Sequence, residues 1–387
     1  MGKLPYLLII ISLLVVVSCT SQSNISPEPI RIGLVAPFTG SLEMLGDTAQ
    51  KAAQLKVAQI NEQGGLQIDG VWYEIELLVG DDAGLPENAI EATRRLIYNQ
   101  NVVAIVGPML SRTAIPATII TEEAQVPMLL PNATNPAATR GKSLVYRVAF
   151  VDSFQGVLMA NFAYETLAAR KTAVLFDAAN QYNSGVAHIY QDAFTALGGD
   201  VVAFESYVTD ATDFATQLAI IKAADPDVLF LPNYSHELLR QIPQIRAAGI
   251  EATLIGSDGW SGMLPENLPL LESGFYSSHY THELTSDRAI AFQTSYQERY
   301  GELPPESAAL TYDTFGLLLQ AIQVAGGVTS EEIIRGLQQM TQYEGVTGTI
   351  LYEEGAHDPQ RSAVILRIVD GQVHHYLTVN PNDLVEE

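Results

Sequence analysis

The stretch Val102-Val103-Ala104-Ile105-Val106 is apolar at every position and runs directly into Gly107-Pro108-Met109-Leu110-Ser111-Arg112-Thr113. A strand with one face in water alternates apolar and polar residues. One without alternation needs cover on both faces, which parallel sheets obtain from their crossover helices. The neighbouring segments supply such helices. Upstream, Pro86 opens a segment that puts Ile90, Thr93, Leu96 and Ile97 on one face, with proline at a favoured first-turn position. Farther out, Ile30–Ala36 and Tyr73–Val79 read as strands on either side of an amphipathic helix over Asp47–Asn61 that closes at Gly64-Gly65.

A second series of the same kind begins near Phe150. Helices are expected over Ser153–Ala169, Asn183–Leu197, Asp213–Ala224 and Ser235–Ala248, separated by strands Thr172–Phe176, Val201–Tyr207, Asp227–Leu231 and Thr253–Gly256. Two βαβ series imply two doubly wound α/β lobes. Helices Asp287–Tyr300, Ala308–Ala325 and Ser330–Met340 have no strands between them and are expected to return to the first lobe. The tail Gly348–Val379 alternates like paired strands and is expected to extend the second. The division is therefore 30–149 plus 280–348 for lobe 1 and 150–279 plus 349–387 for lobe 2. Roughly 355 residues exceed what one core usually supports, in keeping with two.

The first 29 residues stand apart. Lys3 precedes the apolar run Leu7–Val17, which is shorter than the roughly 20 residues a membrane-spanning helix needs. Cys19, the only cysteine of the chain, follows directly. This looks like a bacterial lipoprotein signal over residues 1–18, which implies export, cleavage before Cys19 and lipidation of its thiol. An uncleaved anchor or an ordinary signal peptide with an incidental cysteine remains the alternative, and it also exports the protein. Residues 19–29, polar and with two prolines, read as a tether.

Acidic residues number 44 against 20 basic ones, for a net charge of −24. Such a surface repels nucleic acid and anionic lipid and favours solubility. With its one thiol committed to the anchor, the body can form no internal disulfide, so packing must supply stability.

In open α/β sheets ligands bind beyond the carboxyl ends of the strands, so those loops carry the candidate site. Ser111 stands where it can cap the next helix, or where that helix start can receive an anion. Pro131-Asn132-Ala133-Thr134-Asn135-Pro136 follows strand Val126–Leu130; its backbone groups and the Thr134 hydroxyl can hold a zwitterion, or it is simply a good turn. Tyr182 and Tyr234 lie at loop-to-helix junctions, where an aromatic ring closes over a ligand or packs on the surface. In Ser257-Asp258-Gly259-Trp260, Asp258 either faces a cleft and receives a cation or is an exposed turn residue, and Trp260 either walls a pocket or fills the core.

No nucleotide-binding glycine fingerprint or P-loop is present. Gly259-Trp260-Ser261-Gly262 has Met263 where a nucleophile elbow needs glycine. His374 and His375, adjacent in a strand, point to opposite faces and do not easily share a metal; His279 and His282 lack an obvious third ligand. Neither a catalytic constellation, nor a metal site, nor a cofactor is indicated.

These loops, in this order, resemble the branched-chain amino-acid (Leu/Ile/Val-binding) type of periplasmic substrate-binding protein, the receptor subunit of ABC importers. The likeness rests on Ile30-Arg31-Ile32-Gly33 with Pro37-Phe38-Thr39-Gly40, Ile60-Asn61 with Gly64-Gly65, Asp81-Asp82-Ala83, Val106-Gly107-Pro108, Ala133-Thr134-Asn135-Pro136 and Gly256-Ser257-Asp258-Gly259. It implies the type I fold of that family, two Rossmann-like lobes joined by three crossovers that close over a small ligand. It further implies that Ser111, Thr134 and the backbone around Asn132 and Ala133 take a carboxylate. Asp258 would take an α-ammonium, with Tyr182 and Tyr234 contributed by the second lobe. The implied partners are a small, aliphatic amino acid and membrane permease subunits, for a monomer facing the periplasm or cell exterior. A sensory module, or a binder of a carboxylate or amide without an amine, is the competing expectation. Leu45, where some relatives carry an aromatic, and Arg112, where small polar residues are common, leave the side-chain preference open. Arg112 can pair with a second ligand carboxylate or with a neighbouring acid.

Overall fold

The computed structural model describes residues 27–384; Cys19, the signal and most of the tether lie outside them. The first half consists of β1 Ile30–Ala36, α1 Glu43–Glu62, a hairpin of β2 Leu66–Ile68 and β3 Val71–Tyr73, β4 Ile75–Asp81, α2 Pro86–Gln100, β5 Ala104–Val106, α3 Ser111–Ala124, β6 Met128–Leu130 and β7 Val145–Arg147. Strands β4-β1-β5-β6-β7 form a sheet whose neighbours are all parallel. Its inner strands β5 and β6 are apolar throughout because both faces are covered. In β5, Ala104 and Val106 join the core with Ile32 and Leu34, while Ile105 faces the opposite way with Val35 and Leu96.

The second half repeats the pattern with α4 Asp152–Asn161, β8 Lys171–Asp177, α5 Gln181–Ala196, β9 Asp200–Tyr207, α6 Ala215–Ala224, β10 Val228–Leu231, α7 Ser235–Ala247, β11 Thr253–Gly256 and β12 Phe275–Ser278. Helices α8 Asp287–Tyr300, α9 Glu306–Ala325 and α10 Ser330–Gln338 follow. The chain ends with β13 Gln342–Gly345, β14 Gly348–Leu351, β15 Ala363–Val369 and β16 Gln372–Val379. The second sheet has the order β16-β15-β12-β11-β10-β8-β9, parallel except for the added pair β15 and β16. Alternate residues of β8 again serve two cores, Ala173 and Leu175 on one face and Val174 and Phe176 on the other. Helix α9 returns to the first half, where Leu310, Phe315 and Leu318 pack with Ile32 and Leu34. The result is the type I periplasmic-binding fold, two doubly wound lobes joined by three crossovers.

Two expectations are corrected. The helix expected to reach Ala169 ends regularly at Asn161; a wider turn over Phe162–Thr166 follows, and Ala168, at φ 54°, leads the chain into β8. A left-handed alanine leaves no composition signal. Gly348–Leu351 does not extend the second sheet either. It pairs with β13 in a separate hairpin whose Tyr343 and Ile350 sink into the first lobe's core.

The three connections between lobes meet at Arg361. Its Nη1 donates to the Val148 carbonyl at 2.8 Å, and its Nη2 donates to the Thr347 carbonyl and hydroxyl at 3.1 and 2.8 Å and, more weakly, to the His279 carbonyl at 3.5 Å. In both sheets the strand order reverses where crevices form in such folds: between β1 and β5 in one, between β8 and β10 in the other.

Candidate functional site

Gly107 sets the geometry on the first lobe. At φ 90° it bends the chain across β1, and a Cβ there would lie 2.1 Å from the Val35 carbonyl oxygen. Only glycine permits that approach. Helix α3 therefore starts just beyond the sheet, with Ser111 buried as its first residue. Ser111 does not cap the helix. Leu110 occupies the cap position, and Ser111 Oγ instead accepts the Asn135 N–H at 3.2 Å, tying the loops after β5 and β6 together. Beside it, Thr134 is fully buried, and neither its Oγ1 nor Asn132 Oδ1 has a hydrogen-bond partner among the described residues. The Thr134 carbonyl accepts the Asp152 N–H at 3.0 Å, so this loop also anchors the start of α4.

On the second lobe, Asn180 caps α5 by accepting the Tyr182 N–H at 3.1 Å. That aims Tyr182 at the loop after β11. Its hydroxyl donates to Asp258 Oδ1 at 2.5 Å, accepts the Gly259 N–H at 2.9 Å and lies 2.7 Å from Ser257 Oγ. Its ring stacks on Tyr234, with centroids 5.0 Å apart. The backbone N–H of Asp258 donates to Gln155 Oε1 at 2.9 Å, which ties the loop to α4 as well.

The electrostatics of this corner are one-sided. Burial, followed by the Glu306 carboxylate, pushes the Asp258 carboxyl well above the usual range, although part of the residue reaches solvent. Asp152, wholly buried, is raised to about 7 by burial, with the nearby Thr134 hydroxyl and Arg147 only partly offsetting it. Thr134 Oγ1 and Asp152 Oδ2 do not complete a hydrogen bond with each other. Arg147, the guanidinium that acts on Asp152, gives its ion pair to Asp358 at 2.8 Å. Two carboxyls raised by burial thus stand in loops beside the Thr134 hydroxyl, which has no partner among the described residues.

Between the lobes lies a cavity of about 350 Å³, walled by Thr39, Leu42 and Arg112 from the first lobe and by Asn180, Tyr234 and His236 from the second. Arg112 and Tyr234 thus line it as expected. Two other expected wall residues do not. Trp260 is in the second lobe's core, its Nε1 donating to the Leu231 carbonyl at 2.9 Å, and Gly256 leaves the space its indole fills. Leu45 packs against Ala36, Ala49 and Met109 beneath the rim. The lobes also touch directly, through Asn135 Nδ2 donating to the Gln181 carbonyl at 2.8 Å.

Asp152 and Gln155 escaped sequence reading because β7, only three residues long, has no pattern of its own. Recognising Val145–Arg147 as a strand would have placed both at a strand's carboxyl end.

Two lobes with their switch points facing, and a cavity lined from both, have the architecture of a solute-binding protein. The chain belongs to the periplasmic binding protein family, whose model matches residues 29–372. It is 26% identical over 348 residues to "Leu/Ile/Val-binding protein homolog 3" of Brucella melitensis, covering 89% of this chain and 92% of that protein. Against the Leu/Ile/Val-binding protein of Citrobacter freundii, 29% identity extends over 64% of this chain and 66% of that one. The crystal structure of the branched-chain amino acid transporter substrate binding protein LivJ from Streptococcus pneumoniae, in complex with isoleucine, superposes with a TM-score of 0.83 at 32% identity. It covers 91% of this chain and 100% of that one.

Proposed function

We propose that this protein is the extracytoplasmic solute receptor of an ABC importer and captures a small amino acid between its lobes. The observation that carries this reading is the pairing of opposite demands in one crevice. Asp258 and Asp152 are carboxyls with no ion pair of their own among the described residues, since Arg147 near Asp152 pairs with Asp358, and Ser111 and Thr134 are buried hydroxyls within the adjoining loops. The ligand's ammonium would rest on Asp258 with Tyr182 and Tyr234 as its walls, and its carboxylate on Ser111, Thr134 and the backbone of Asn132 and Ala133. Removing either charge from water without a partner costs several kcal/mol, so a zwitterion compensated at both ends gains most from lobe closure. The names of the relatives support an aliphatic side chain as the starting expectation.

In this reading the protein catalyses no reaction. It works as a monomer tethered through a lipid on Cys19 and presents its closed form to permease subunits, with lobes divided as 30–149 plus 280–348 and 150–279 plus 349–387, the β14 hairpin excepted. Asp258 is also what separates an amino acid from a plain carboxylate or amide, since an acid without an amine would leave that carboxyl uncompensated. Isothermal titration of the common amino acids into protein freed of carried-over ligand is expected to find at least one that binds. Asp258→Asn is expected to weaken that ligand on the order of 100-fold without lowering the melting temperature, because it removes a charge the fold leaves unpaired. Unchanged affinity would remove Asp258 from the site.

A further inference from the structure

Beyond Tyr234 the cavity is lined by a cation that has no ion pair among the described residues. Arg112, second residue of α3, lines the cavity, and its Nε is buried with no hydrogen-bond partner among the described residues. The arginine ion pairs among those residues belong to Arg31, Arg94, Arg147 and Arg335. Asp82, the acid behind Arg112, forms no ion pair with it among the described residues and balances it only at a distance. Its Oδ1 accepts the Gly84 N–H at 2.7 Å, its Oδ2 has no partner, and burial keeps its carboxyl raised to about 6 despite the neighbouring guanidinium.

The acids on the facing wall are already engaged. Asp177 accepts the Ala179 N–H at 2.8 Å and the Thr209 hydroxyl at 2.5 Å. Glu237 accepts the Tyr207 hydroxyl at 2.7 Å, the Tyr234 N–H at 2.8 Å and an Asn183 amide N–H at 3.1 Å. Asp210 is exposed at the rim. His236, also on that wall, has a buried Nδ1 without a partner among the described residues. Burial first, then Arg240 and Arg112, lower its pKa to about 4, so the ring is neutral at pH 7 and can turn an N–H inward. Arg112, whose guanidinium donates no hydrogen bond among the described residues, and His236 thus line one cavity from opposite lobes, and Tyr234, stacked on the Tyr182 that holds Asp258, joins that cavity to the ammonium corner. A purely aliphatic side chain would bury the guanidinium without compensation, whereas a carboxylate would accept from both donors.

We propose that Arg112 and His236 form the side-chain end of the ligand site, and that this chain prefers an amino acid whose side chain ends in a carboxylate, of about glutamate's length, over an aliphatic one of similar bulk. The proposal rests on the amino-acid reading above and revises only its side-chain class. L-glutamate and L-leucine share their α-groups and are close in size, so titrating each into the full-length, ligand-stripped protein isolates the distal group. Glutamate is expected to bind at least about 10-fold tighter. Arg112→Leu is expected to invert that order, with glutamate weakened on the order of 100-fold and leucine strengthened. His236→Gln, which keeps a donor, should retain most of the glutamate affinity, and His236→Phe should lose it. Tighter binding of leucine by the unaltered protein, or glutamate binding indifferent to Arg112→Leu, overturns the proposal and leaves the amino-acid reading standing. If neither these two nor any other common amino acid binds, both fall.

Discussion

At the hinge, buried charge is answered group by group. Arg361 gives its two terminal nitrogens to the crossover backbone and Thr347, leaving Nε alone without a partner. Asp313 accepts the Val346 and Thr347 N–H groups at 2.7 and 2.9 Å and the Thr347 hydroxyl at 2.6 Å. His279 donates from Nδ1 to Glu306 at 2.8 Å and accepts the Phe150 N–H at Nε2, which selects one neutral tautomer. A short distance away in the cleft, Asp152 Oδ2, Thr134 Oγ1, Asn132 Oδ1 and Arg112 Nε are buried with no such partners. The contrast separates roles. A satisfied polar network rigidifies what it connects, while unsatisfied groups raise the free energy of the fold unless something arrives to complete them.

The largest expected effect tests the hinge half of this contrast. Arg361→Met should cost about 3–5 kcal/mol of stability in a denaturant titration, because it strands Asp313 and the crossover carbonyls. A loss under about 1 kcal/mol would mean that the two regions do not differ as described.

The next sharpens the contrast through pH. Asp152 and Asp258 have folded-state pKa values above the ordinary carboxylate range, so they favour the fold at low pH, and that contribution fades as pH rises through about 7 for Asp152. His279, lowered to about 4 by burial, works in the opposite direction. Its contribution is complete above its ordinary value near 6.5 and is lost as pH falls toward 4. In ligand-free protein the two carboxyls therefore contribute a loss of stability between about pH 5 and 7, which His279 and His236 oppose up to their ordinary value near 6.5. Asp152→Asn removes one carboxyl contribution, so the variant should gain melting temperature relative to the parent protein as pH rises from about 5 to 7. Ligand affinity should move the other way, weakening by up to about tenfold per pH unit as Asp258 becomes protonated. A pH-independent affinity across this range would contradict an ammonium seated on Asp258.

The smallest effect concerns a hydroxyl. Thr134→Val keeps the side-chain shape and removes an oxygen that has no partner in the fold, so stability should hold or rise slightly. Ligand affinity should fall by about 1 kcal/mol, roughly five- to tenfold, if that hydroxyl meets the ligand carboxylate. Calorimetry and thermal melting on the same variant separate the two.

Much of the fold was legible because burial on both faces of a parallel sheet removes alternation from the strands, as in Val102–Val106 and Thr172–Phe176, and because helices between them keep their own period. The short β7 was not legible, and Asp152 and Gln155 went unseen with it. Ser111, Tyr234 and Asp258 were legible as positions at strand ends, but their partners were not. That Ser111 accepts from Asn135 rather than capping its helix, and that Trp260 fills the space beside Gly256 rather than the cavity, depend on segments 24 and 4 residues away respectively. Spacing alone does not say which way a side chain at a turn will point.

From the chain alone came the two α/β series, the strand-end loops and the acidic balance, since local periodicity and composition report directly on which surfaces must leave water. Only the tertiary structure decided which polar groups find partners. Arg361 and Arg112 look alike in sequence, yet packing surrounds one with carbonyls from two crossovers and the β13–β14 turn and leaves the other lining a cavity. Satisfaction of a buried charge is a property of groups converging from distant segments, and no stretch of sequence contains it.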